Sequence, residues 1–104
     1  MNLFPKIEPF NIEYLSVATN QKIYIEQSGN PNGIPVVFLH GGPGAGTSPV
    51  YRRFFNPRKF RIILFDQRGS GKSTPYGSVA NNTSAGLISD IKTILDSFQI
   101  KKTI

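Results

Sequence analysis

The sequence predicts an α/β fold, a parallel sheet with an antiparallel edge, on three observations. Residues 35–39 (PVVFL) and 61–65 (RIILF) are apolar without alternation, as strands covered on both faces are. Each run meets a glycine-rich stretch, HGGPGAG at 40–46 and RGSG at 68–71. Leu87, Ile91, Ile94, Leu95 and Phe98 then recur at helical spacing, with Asp90, Lys92 and Asp96 between them, which gives one apolar stripe on a helix. Buried apolar strands followed by a helix are layered α/β architecture.

The elements follow in order. Residues 10–17 and 22–27 are β-prone, and Ile23-Tyr24-Ile25 centres the second run; a turn at Asn20-Gln21 would make them an antiparallel hairpin. Gly29-Asn30-Pro31-Asn32-Gly33 is a loop signal that precedes the first buried strand. A short helical turn is expected over 49–55, ended by Asn56-Pro57. Thr83 or Ser84 can cap the helix. Lys102-Thr103-Ile104 reads as the first step into another strand. In such a sheet ligands sit beyond the carboxyl ends of the strands, so both glycine loops share one rim.

At 104 residues the chain is one domain at most, and 38% hydrophobic with 17% charged residues is a globular composition. No apolar run approaches the ~20 residues of a membrane span, and MNLFPKIEPF has no continuous apolar segment of the kind that leads secretion. Without cysteine there is no disulfide framework or thiolate metal site. A cytoplasmic location, with no membrane partner, is the expectation. The net charge of +6 is local: Arg52, Arg53, Arg58, Lys59, Arg61, Arg68 and Lys72 set against Asp66 account for it. Such a cluster can be a nucleic-acid footprint, but no stacking aromatics interleave it as in a recognisable module, so no nucleic acid is expected.

Gly71-Lys72-Ser73 has the letters that close a phosphate-binding loop. That loop needs Gly-x-x-x-x-Gly-Lys-Ser/Thr, and the first glycine position holds Asp66. A carboxylate there repels phosphate, and Pro75, Gly77, Asn81 and Asn82 follow where a helix should start. The glycines serve something else.

Leu39-His40-Gly41-Gly42-Pro43-Gly44 followed by Phe65-Asp66-Gln67-Arg68-Gly69-Ser70-Gly71-Lys72-Ser73 resembles the α/β-hydrolase fold, specifically the proline iminopeptidases (prolyl aminopeptidases). Ser28-Gly29-Asn30-Pro31, Ser48-Pro49, Ser73-Thr74-Pro75, Asn81-Asn82-Thr83 and Asp90-Ile91 extend the likeness over nearly the whole chain. The resemblance implies a serine exopeptidase that releases N-terminal proline from peptides, with no metal or cofactor. It implies that the N–H of Gly42 is one oxyanion-hole donor, with Gly41 supporting the loop. Bare glycines suit that chemistry, because a backbone can meet a substrate only where no side chain blocks it, and each such donor stabilises the tetrahedral oxyanion by about 2.7–4 kcal/mol.

His40 is the sole histidine. In this fold the histidine follows the nucleophile along the chain, so His40 is expected to orient the loop, with Pro43 and Gly44 shaping it. Asp66 and Arg68 are expected to form a charge-assisted brace beside the site, with Gly69 and Gly71 letting the chain double back around it.

No Gly-x-Ser-x-Gly occurs in residues 1–104. By resemblance the nucleophile, its acid and histidine and a helical cap belong beyond Ile104, since such domains reach about 200–250 residues or more. The chain therefore reads as the amino-terminal portion of a single α/β-hydrolase domain, inactive alone. The alternatives are another α/β-hydrolase, esterase-like, or a non-catalytic remnant. The family's strand order also puts 36–39 between 62–65 and a fifth strand, leaving an apolar edge open to aggregation in the isolated chain.

Overall fold

A computed structural model describes residues 3–18, 21–39, 46–67, 72–73 and 84–98. They form strand β1 (Asn11–Ala18), β2 (Gln21–Gly29) and β3 (Ile34–Phe38), a 3-10 turn (Pro49–Arg53), β4 (Phe60–Phe65) and helix α1 (Ser84–Ser97). The four strands and the helix expected between 10 and 98 are present. The hairpin ends differ slightly: Gln21 pairs with Ala18 inside β2 instead of turning, so the connection falls on 19–20. The helical turn is shorter than 49–55. Pro49 fixes its start, but Phe54 donates to the Tyr51 carbonyl at 3.3 Å, and the chain leaves the helix before Asn56-Pro57. Ser84 is the first residue of α1; Thr83, the other candidate cap, and the strand expected at 102–104 lie outside the described residues.

Spatial order is not chain order. The sheet runs β1-β2-β4-β3. β1 and β2 form the hairpin, β2 pairs antiparallel with β4, and β3 pairs parallel with β4. This is the parallel sheet with an antiparallel edge, and β3 is its other edge among the described residues.

Alternation along β4 divides the core. Ile63 and Phe65 join Ile23, Ile25 and Ile94 of α1, with Leu15, Val17, Val37, Leu87, Ile91 and Phe98 around them. Ile62 and Leu64 join Val36 on the opposite face, packed by Ile7, Phe38, Tyr51, Phe55 and Phe60. The doubly apolar β4 is thus covered on both sides, as its unbroken RIILF implies.

One end of the sheet is closed by loop 29–33 against 56–60. Asn30 N–H donates to the Phe60 carbonyl and Ile34 N–H to that of Lys59, each at 2.9 Å. Gly29 has φ +84, and a Cβ there would stand 2.6 Å from the Phe60 carbonyl oxygen, so only glycine fits. The opposite end, beyond Phe38 and Phe65, is the rim where the glycine loops leave.

Candidate functional site

The rim is described at its anchor points. His40, Gly41, Gly42, Pro43, Gly44, Arg68, Gly69 and Gly71 lie outside the described residues; Gly46, Thr47, Asp66, Lys72 and Ser73 flank them. Gly46 leaves the first loop with φ +76, the left-handed region that glycine enters freely.

Asp66 follows β4 directly and is 2% exposed. Its Oδ1 accepts the N–H of Thr47 at 2.6 Å and its Oδ2 the N–H of Lys72 at 2.7 Å. These are charge-assisted bonds, the stronger kind. One carboxylate therefore takes an amide from the end of each glycine loop and ties both to the central strand. The expected brace involves Asp66, with backbone amides as its described partners; the pairing with Arg68 lies outside the described residues.

Ser73 answers the phosphate-loop likeness. It is buried, its Oγ donates to the Asp66 carbonyl at 2.5 Å and accepts the Tyr24 N–H at 3.0 Å. The Tyr24 carbonyl takes the Asp66 N–H at 2.9 Å. The hydroxyl thus replaces the next rung of the β2–β4 ladder, and the Lys72 ammonium lies 4.7 Å from the centre of the Tyr24 ring. Both residues serve the fold of the rim.

Below this layer lies a polar group that the sequence reading missed. Glu26 of β2 is 2% exposed. Its carboxylate accepts the Tyr24 hydroxyl at 3.0 Å and a two-pronged donation from Arg52 of the 3-10 turn, Nε to Oε2 and Nη2 to Oε1. Arg52 also reaches the Ile7 carbonyl at 3.4 Å and Glu8 at 3.8 Å. Burial, then the Glu26 charge and hydrogen bond, push the Tyr24 hydroxyl up to about 12. The hydrogen bond to Glu26 raises the Arg52 guanidinium above its ordinary value. A carboxylate in the apolar strand IYIEQSG was the available signal for Glu26. Nothing local marks Arg52, which is 26 residues away in sequence.

The basic cluster is largely engaged within the molecule. Arg53 Nε donates to the Phe4 carbonyl at 2.7 Å, and Arg61 Nε donates to Gln27 at 2.6 Å while stacking over Phe98. Among the described residues no group of acidic or histidine side chains is placed to hold a metal ion.

Comparisons with known proteins agree with this geometry. Residues 34–104, more than half of the chain, match the model of the alpha/beta hydrolase fold family. The chain is 55% identical over 100 residues to a probable proline iminopeptidase of Leptolyngbya boryana, covering 96% of this chain and 31% of the relative. It is 51% identical over 98 residues to a proline iminopeptidase of Arabidopsis thaliana, covering 94% and 26%. The chain thus spans about a third or less of the length of the curated relatives it matches. A proline iminopeptidase-related protein of Thermus thermophilus superposes with a TM-score of 0.74 at 26% identity, over 99% of this chain and 35% of that one. A bromoperoxidase of Bacillus anthracis gives 0.73 at 26%, over 89% and 33%. With the sheet order, the two-faced core and the paired rim loops in place, the chain belongs to the alpha/beta hydrolase fold family.

Proposed function

We propose that this chain supplies the oxyanion-loop portion of a serine exopeptidase that removes N-terminal proline from peptides. The observation that carries the reading is the identity of 55% with a probable proline iminopeptidase, in an alignment that spans both glycine loops. The geometry agrees: the Asp66 carboxylate takes one amide from the end of each loop, on the rim where ligands of α/β sheets bind.

In this reading a serine contributed from outside residues 1–104 attacks the prolyl carbonyl, and its proton passes to a histidine oriented by an acid. The carbonyl oxygen gains the negative charge and meets the N–H of Gly42, with Gly41 supporting the loop. His40, Pro43 and Gly44 shape the turn, and Asp66, with Arg68, Gly69 and Gly71 beyond it, holds the second loop against the first. The histidine then returns the proton to the leaving amine, and water releases proline from the acyl-enzyme. This chemistry asks for no metal or cofactor. A cytoplasmic location belongs to this proposal. Separately, no described helix is long and apolar enough to cross a membrane.

A second reading, another α/β-hydrolase with esterase-like activity, has its own observation, since a protein of different name, the bromoperoxidase, superposes nearly as well as the iminopeptidase-related protein. One fold hosts many reactions, and the substrate separates them. Residues 1–104, joined to the carboxyl-terminal two thirds of the Leptolyngbya boryana relative, are expected to hydrolyse proline 4-nitroanilide faster than 4-nitrophenyl acetate. Residues 1–104 alone are expected to turn over neither. Gly42→Pro, which deletes the donor, should lower kcat by about 10²–10³. A joined protein that prefers the ester would favour the second reading.

A further inference from the structure

Glu26 and Arg52 pose a problem of energetics. Glu26 is buried and the Arg52 side chain is 11% exposed; withdrawing such a pair from water is expensive, and apolar residues of similar volume usually do as well or better for stability. A charged pair at this place is therefore poorly explained by stability, and its connections indicate what else it does.

From Tyr24 and Glu26 on β2, two arms reach the two rim loops. The first runs through the backbone of Tyr24 to Asp66 and Ser73, and through its ring to the Lys72 ammonium. The second runs from Glu26 to Arg52. Arg52 stands in the turn that begins two residues after Thr47, and Thr47 closes the first glycine loop on Asp66. The guanidinium is a planar fork held at both oxygens of one carboxylate, a geometry that fixes direction as well as distance. It also takes hold of the amino-terminal segment at Ile7 and Glu8. The turn that receives the first loop is thus seated on the sheet by a directional bond, while apolar contacts at Tyr51 and Phe55 would tolerate sliding.

We propose that the pair of buried Glu26 and half-buried Arg52 is a positioning device for the first glycine loop, setting where the chain re-emerges at Thr47 and hence the aim of the loop's amides. Arg52 is a positioning residue, since it acts through the loop. The proposal rests on reading that loop as the oxyanion loop, and its test separates the two. A misplacement of about 1 Å in a catalytic array costs about 10²-fold in rate. The loss falls on kcat if the misplaced group acts in the transition state alone.

The test uses residues 1–104 joined to the rest of the Leptolyngbya boryana relative. The triple variant Tyr24→Phe, Glu26→Leu, Arg52→Met replaces the network by apolar groups of similar shape. We expect Tm unchanged or raised, kcat lowered about 10- to 100-fold with KM retained, and amide exchange at Thr47 accelerated at least about 10-fold while Ile25 and Ile63 stay protected. A purely structural role predicts that kcat falls only in step with Tm, and that result overturns the proposal. So does unaltered exchange at Thr47. If the triple variant does not fold, Arg52→Lys keeps the charge without the fork and should show the same split of kcat from KM; equal kinetics would overturn the inference. An inactive parent would refute the peptidase reading, and exchange at Thr47 would still decide this one.

Discussion

The two faces of the sheet are built by different rules. The face under α1 is closed by Ile23, Ile25, Ile63, Phe65 and Ile94, all at 0% exposure. The face under the 3-10 turn has a smaller apolar centre of Val36, Ile62 and Leu64 and a row of rings, with Phe38 against Tyr51, Phe54 and Phe55. Beside these it buries Glu26 and the Tyr24 hydroxyl bond. Apolar packing has little directional preference and supplies stability. Charge-assisted bonds supply direction at a desolvation cost. The molecule uses the first where a helix need only adhere, and the second where the chain must arrive at a rim in one place.

The largest expected effect tests the apolar face. Phe65→Ala should destabilise by about 3–5 kcal/mol, read as a lowered urea midpoint at unchanged slope, whereas the triple apolar replacement on the other face should cost nothing. Comparable losses would erase the distinction. Next is the clamp between the loops. Asp66→Asn leaves one amide of Thr47 or Lys72 facing an NH2 group, and a buried donor without a partner costs about 1–3 kcal/mol. Exchange at both amides should quicken, and protection of both in the variant would contradict the clamp.

A subtler effect is pH dependence of the polar face. The folded state holds the Tyr24 proton more tightly than the unfolded chain, whose ordinary value is 10.0, and releases it at about 12. Its contribution to stability is intact below pH 10 and is lost as pH rises toward 12. Tm measured from pH 9 to 12 should fall less steeply in Tyr24→Phe than in the parent; parallel curves would remove Tyr24 from the network. The smallest effect concerns Ser28, whose buried hydroxyl has no hydrogen-bond partner among the described residues. Ser28→Ala should shift stability by no more than about 0.5 kcal/mol, or raise it, as thermal unfolding would show.

Much of this was legible in the sequence. RIILF announces a strand covered on both faces; PVVFL reads the same way, yet β3 stands at the described edge with Val36 alone buried and Leu39 exposed. The spacing from Leu87 to Phe98 announces the helix, because burial imposes period on residue type. HGGPG and DQRGSGKST mark the rim by the residues that flank the glycines, of which Gly46, Thr47, Asp66, Lys72 and Ser73 are described. Asp66 could be placed beside the site, yet its described partners are the amides of Thr47 and Lys72, and backbone donors leave no trace in residue identity. The Glu26–Arg52 pair stayed hidden for a related reason. Its members meet through tertiary packing, so a strand carboxylate and one arginine among several had no local rule to join them. Ser73 was the opposite case: its motif pointed to phosphate, and its position in the β2–β4 ladder assigns the hydroxyl to the backbone.

In the proposed function HGGPG aims a main-chain donor at charge developing on an attacked prolyl carbonyl. This is tested most directly by a crystal structure of residues 1–104, joined to the relative's remaining two thirds, with a proline aldehyde bound to the serine. The hemiacetal oxygen is expected about 2.7–3.1 Å from the amide nitrogen of Gly42. A Gly42 amide bonded within the protein, or turned away from the carboxyl ends of β3 and β4, would contradict it.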